Sequence, residues 1–172
     1  MTVLLQCGMK LPGWLGQQLG VSTRAWKEIC RETMAEVGRH WFESFLRLHF
    51  REGAAARYGY QPRTAKYIRS KIKAAKKGKA LAGGVVPLLY TGDLREEVQG
   101  YVYVRAFPTR ATLTLHGPKY LSMTPRGSRP NMGQEITAVS DEERFQMAAL
   151  MADRLGAKMD ALGLDAVTEV IA

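Results

Sequence analysis

Cysteine is scarce in this sequence: Cys7 and Cys30 are the two in 172 residues. They lack CxxC spacing, which argues against a disulfide framework or a cysteine-built zinc site and points to a reducing, cytosolic setting. Long apolar runs are missing as well. No stretch approaches the roughly eighteen residues needed to cross a bilayer, because the longest candidates are broken by Gly, Pro or charge. The opening MTVLLQCGMK has an apolar patch but no preceding basic region and no small-residue cleavage site, so it does not read as a signal peptide. No membrane partner is expected. Acidic residues are missing from a third place, the segment between Glu52 and Asp93.

That acid-free segment holds Arg57, Arg63, Lys66, Arg69, Lys71, Lys73, Lys76, Lys77 and Lys79. The whole chain has 25 Lys plus Arg against 16 Asp plus Glu; without these nine the count is 16 against 16. All of the net charge of +9 is therefore local. A local excess of this kind marks a surface for an anionic partner, and an acidic protein, nucleic acid and plain solvation of a helix face all remain open.

At this length and 46% apolar content, one core and one domain are expected, with residues 1–22 as an N-terminal arm and 23–172 as a single α+β domain. The arm reads as a short helix at Trp14 to Leu19 interrupted upstream by Pro12 and Gly13, with Trp14 and Leu15 as a docking element or as packing on the arm's own domain. From Thr23 to about Phe50, Trp26, Ile29, Cys30, Met34, Val37, Trp41, Phe45 and Leu48 recur at helical spacing, predicting one long amphipathic helix capped at Ser22 or Thr23. His40 and His49 lie off the i, i+4 spacing of a helical metal pair and read as surface or boundary residues.

RYGYQPRT then turns the chain at Gly59 and Pro62, with Pro62 suited to a first helical turn. Ala65, Ile68, Ile72 and Ala75 mark an apolar stripe, and beside it Lys66, Arg69, Lys73, Lys76 and Lys77 share a basic face. Gly78, Gly83 and Gly84 lead through a loop to Pro87. A short helix starts at Asp93, whose charge suits a helix N-terminus. From Val98 through Phe107 and from Arg110 to His116 the alternation predicts a β-hairpin with Val98, Gly100, Val102, Val104, Ala106, Ala111, Leu113 and Leu115 on one face, packed on the core. Residues 117–133 read as a long exposed loop, and Gln134 to Val139 as a third strand. Ser140 to Glu143 form a capping box for a helix with Phe145, Ala148, Met151, Leu155, Met159 and Leu162 on one face and Gly163 as its stop.

No catalytic constellation emerges. There is no GxSxG elbow, no P-loop spacing and no dinucleotide fingerprint after a strand. Asp93, Glu96 and Glu97 make one tight acidic cluster, best read as serving a helix start. No catalytic residue, cofactor site or metal site is expected. The basic helix offers phosphate neutralisation with Tyr58, Tyr60 and Tyr67 interleaved for stacking, yet no helix-turn-helix, zinc-finger, ribonucleoprotein or homeodomain pattern accompanies it.

The combination of a long N-terminal helix, RYGYQPRTAKYIRSK, PLLYTGDLR, a hairpin and a capped helix after EITAVSDEE resembles tailed-phage morphogenesis proteins of the neck and tail-completion type, over about residues 24–162. In that family the segments matching Arg57 to Tyr60 and Pro87 to Arg95 flank a basic helix. The elements themselves predict a small antiparallel sheet from about residues 98 to 139, with the long N-terminal helix, the basic middle helix and the C-terminal helix packed on it. The resemblance implies a small α+β, non-enzymatic structural subunit of a homo-oligomeric ring at the head–tail junction, located in the virion and assembled in the host cytoplasm. Adaptor, stopper and tail terminator all fit, with portal, adaptor, stopper or tail-tube proteins as neighbours. The partner-binding residues would be Arg63, Lys66, Arg69, Lys73, Lys76 and Lys77, facing an acidic ring surface or packaged DNA, with Lys119, Arg126 and Arg129 on a loop reaching the next subunit. The alternative is a small basic DNA- or RNA-binding protein using the same helix.

Overall fold

The computed structural model describes residues 3–8, 21–79, 88, 92–118, 121 and 130–162. The fold is α+β: a three-stranded antiparallel sheet covered by helices.

Helix α1 spans Thr23–His40, and the Ser22 side chain accepts from Ala25 N at 3.3 Å as its N-cap. Trp26, Cys30, Met34 and Val37 are buried along one face, as their spacing predicts. The helix does not continue unchanged to Phe50. Trp41–Phe45 form a π turn and Leu46–Phe50 a 3₁₀ turn. The wider π turn shifts the register of the residues after it, so Leu46, His49 and Phe50 face the core while Leu48 is only half-buried.

The hairpin is β2 (Val102–Phe107) and β3 (Arg110–Leu115), antiparallel with Val104 opposite Leu113. Ala111, Leu113 and Leu115 are buried, and Val102, Val104 and Ala106 pack against the same core. α1 lies across this face at Gly38, where a Cβ would stand 3.3 Å from each of Ala111 Cβ, Leu113 Cδ1 and Val104 Cγ1. A side chain there would hold the helix off the sheet. The strand begins later than its alternation suggests, because Val98 to Gly100 complete a helix, Asp93–Gly100.

The third strand is not Gln134 to Val139. That stretch instead begins inside a helical turn, Met132–Ile136, whose Asn131 cap accepts from Gln134 N at 3.1 Å. The third strand is β1, Val3–Gly8, paired antiparallel with β3, giving the order β1-β3-β2. Part of the expected arm is thus an edge of the sheet.

The remaining helices in chain order are α2 (Ala54–Tyr58), α3 (Ala65–Lys76), α4 (Asp93–Gly100), α5 (Met132–Ile136) and α6 (Asp141–Asp160). α6 opens with the expected capping box of Ser140 and Glu143. Its buried residues are Glu143, Met147, Met151, Leu155 and Met159, a strict four-residue repeat. Phe145, Ala148 and Leu162, expected inside, are exposed, Phe145 at 77%. The bulk of Phe145 biases the apparent face, whereas Met147 sets the real one. α6 packs chiefly on α1, so α1 is a middle layer between sheet and α6. Lys158 bridges the two helices, 2.9 Å from Glu32 and 3.1 Å from Glu36. The expected helix at Trp14 to Leu19, the loop through Gly83, Gly84 and Pro87, the contact residues Lys119, Arg126 and Arg129, and the stop at Gly163 lie outside the described residues.

Candidate docking surface

The basic helix α3 is positioned by the segment before it. Gly53 and Gly59 bracket α2 with φ of +82° and +64°, values that L side chains rarely adopt, and so turn the chain sharply on both sides. The turn drives the two tyrosines inward. The Tyr58 ring stacks on His49 with centroids 3.8 Å apart, and the Tyr60 hydroxyl hydrogen-bonds His49 Nδ1.

Two carboxylates from distant helices hold this segment. Glu143, at the first turn of α6, is fully buried and accepts from the Tyr58 hydroxyl, with Arg57 Nε 3.5 Å away. Glu135 of α5 accepts from Gln61 N at 3.1 Å and takes Arg63 in a two-pronged pair, Nη1 to Oε1 at 2.8 Å and Nη2 to Oε2. The Arg63 and Glu135 side chains are only 10% and 7% exposed. An ion pair so enclosed is strongly geometry-dependent and fixes direction as well as distance.

His49 is the residue the sequence reading misplaces most. It is buried, not at the surface. Burial pushes its pKa from 6.5 down to about 4; the Glu135 backbone opposes this, and the Arg57 charge adds to the depression. The folded value lies below the unfolded one, so as pH falls the unfolded chain takes up the proton first. Stability owed to neutral His49 is complete above pH 6.5 and is lost between 6.5 and 4. At about 1.4 kcal/mol per pH unit, the loss amounts to roughly 3 kcal/mol. His49→Gln keeps a partner for Tyr60 and does not titrate. Urea denaturation of both proteins across this range should show wild type losing its advantage as pH falls; a pH-independent difference would exclude the effect.

α3 itself starts at Thr64, whose hydroxyl accepts from Tyr67 N at 3.2 Å, so Pro62 precedes the cap rather than entering the first turn. Its end is a Schellman motif: Lys79 N to Ala74 O at 2.9 Å and Gly78 N to Ala75 O at 3.0 Å, with Gly78 at φ +67°. Both ends are therefore fixed.

The expected apolar stripe is not the inward face. Ala65 and Ile72 are exposed, Ile68 and Ala75 are half-buried, and Lys71 is fully buried. The helix is turned by roughly 80° from the orientation its apolar pattern suggests, at about 100° per residue. Burial and the Arg63 charge lower the Lys71 pKa. The turn moves the basic face to the side opposite the interior, so Lys66, Arg69, Lys73, Lys76, Lys77 and Lys79 are all exposed. Among the described residues none of these six enters an ion pair.

The candidate residues thus divide. Lys66, Arg69, Lys73, Lys76 and Lys77 share one open face, joined by Lys79. Arg63 is not on it, because it is spent internally on Glu135. Tyr60 is buried and Tyr58 is half-buried with its ring stacked on His49, so both rings are engaged within the fold, and burial raises the pKa of both. Asp93 and Glu96 sit in the first turn of α4, where their charge favours the helix. The clamps formed by Glu135 and Glu143 are invisible in the local pattern, although the capping box does single out Glu143.

Among the described residues no three of His, Cys, Asp and Glu gather as a metal site, and no helix is long and apolar enough to cross a membrane. Comparison of the chain with protein-family models, with curated proteins and with solved structures finds no match.

Proposed function

We propose that this chain is a structural subunit of a tailed-phage virion, part of a homo-oligomeric ring at the head–tail junction, and that α3 docks on an acidic surface of a neighbouring ring. One observation carries the docking role: six exposed cations that enter no ion pair among the described residues, Lys66, Arg69, Lys73 and Lys76 on α3 and Lys77 and Lys79 in the turn that ends it, with the helix capped at both ends and this side facing away from the core. The placement in a phage neck rests on the resemblance carried by Arg57 to Tyr60 and Pro87 to Arg95. Packaged DNA is a second anion that the same face would meet.

The test combines assembly with charge. The purified protein should form discrete oligomers and sediment with purified heads or tails. Reversing Lys66, Arg69, Lys73 and Lys77 to Glu should leave the circular dichroism spectrum and melting temperature nearly unchanged, since all four are exposed. Association with particles should weaken on the order of 100-fold, because attraction is replaced by repulsion at four positions. A protein that stays monomeric, ignores particles and binds random duplex with a steep salt dependence is the small nucleic-acid-binding protein instead.

A further inference from the structure

The outer face of the sheet is built from residues other than those of the α3 surface. Tyr101 is extended, with φ −157° and ψ 140°, immediately before β2. Tyr101, Tyr103, Arg105 and Phe107 therefore alternate with the core-facing Val102, Val104 and Ala106 and share the opposite side. β3 sets Thr114 beside Tyr103, Thr112 beside Arg105 and Arg110 beside Phe107.

Two features make this face unusual. Tyr101 and Tyr103 are 58% and 55% exposed, although both carry large rings. The guanidiniums of Arg105 and Arg110 both lie against the Phe107 ring, 5.1 and 4.7 Å from its centroid. That ring holds two exposed cations close together, and among the described residues neither arginine has an ion-pair partner. Between Glu97 and Glu135 the chain contains no carboxylate. The pair is left positive and preorganised.

We propose that this face binds single-stranded nucleic acid, with unpaired bases stacking on Tyr101 and Tyr103 and the flanking phosphates taken by Arg105 and Arg110. The two tyrosines stand two residues apart along an extended chain, roughly 6.6–6.8 Å. A nucleic-acid strand presents flat rings and phosphates in alternation, and this face presents rings followed by guanidiniums. Stacking on exposed aromatic rings needs bases freed from a duplex, and planar guanidiniums suit phosphate oxygens. A second copy laid face to face would bring four guanidiniums together with no carboxylate to relieve them. An acidic protein surface would satisfy the arginines and leave the two rings unmatched.

The experiment is fluorescence anisotropy with a labelled twelve-nucleotide oligothymidine, an abasic strand of the same length and charge, and a duplex. Wild type should bind oligothymidine at least tenfold more tightly than the abasic strand. Tyr101→Ala/Tyr103→Ala should lose that preference, while Tyr101→Phe/Tyr103→Phe keeps it. Arg105→Glu/Arg110→Glu should weaken both single strands. The α3 charge-reversed protein should retain the preference for bases over the abasic strand, which separates this site from the docking helix. Equal binding of abasic and oligothymidine strands, or preference for duplex, overturns the proposal. So does a wild-type protein that ignores oligothymidine but self-associates in sedimentation through Tyr101 and Tyr103, which would assign the face to a second copy.

Discussion

Arg63→Ala is expected to cost about 3–5 kcal/mol of folding stability, because it strands the Glu135 carboxylate in an enclosed site. The cost exceeds the net value of the pair. Glu135 is 7% exposed and among the described residues retains the Gln61 amide at 3.1 Å as its side-chain partner, so little water reaches it to replace what the guanidinium supplied. Glu135→Ala should be comparably damaging, since the buried guanidinium then lacks its carboxylate. Replacing both, as Arg63→Met/Glu135→Leu, removes two desolvated charges together and should recover most of the loss. Urea denaturation of wild type, the two alanine variants and Arg63→Ala/Glu135→Ala gives the coupling, and the Met/Leu variant shows the recovery. A single-variant cost below about 1 kcal/mol would place the pair with surface ion pairs and remove its role as an anchor for α3.

Glu143→Ala ranks next, at about 3 kcal/mol, and the loss comes from several directions. The side chain closes the capping box by accepting from Ser140 N at 3.4 Å, a reciprocal arrangement whose loss costs about 1 kcal/mol. It also accepts the Tyr58 hydroxyl, which would remain with its acceptor gone, at a further 1–3 kcal/mol. Arg57 keeps Glu142 at 2.9 Å, so its own charge stays paired. Glu143→Gln can still accept from Tyr58 and the cap, and should cost less than half as much. Thermal unfolding of both variants checks this ordering; equal losses would show that the charge, not the acceptor, matters.

The parts of this fold that arise from local chemistry are legible in the sequence. Ser22 before a helical repeat, Ser140 with Glu143, and Asp93 after a Thr-Gly turn each mark a helix start, and the alternation from Val102 to Leu115 fixes the hairpin and its inward side. The parts that are not legible depend on distant partners. β1 pairs with a strand about a hundred residues away, with no turn sequence joining them. Arg63 and Glu135 are 72 residues apart, and Tyr58 and Glu143 are 85. No periodicity reports such pairs.

Lys71 shows the limit most plainly: a helix reads inward from its apolar residues only if apolar burial decides its rotation. In α3 the polar clamp at Arg63 and a buried lysine accompany a different rotation. Met132–Ile136 fails for a simpler reason, since the Asn131 to Gln134 cap signal competes with a strand-like apolar pattern. Of the candidate surface, the lysines are readable and the withdrawal of Arg63, Tyr58 and Tyr60 into the interior is not.

Because Arg57 and Arg63 are neutralised within the fold, the field outside the protein is dominated on this segment by a single helical flank. Such a field acts before contact, over about a Debye length, roughly 8–10 Å at ordinary ionic strength. It exerts torque as well as attraction, so an approaching subunit would rotate α3 toward an acidic target before their surfaces meet. The internal clamps would then govern the rate of productive encounters, by determining which charges remain to orient the molecule.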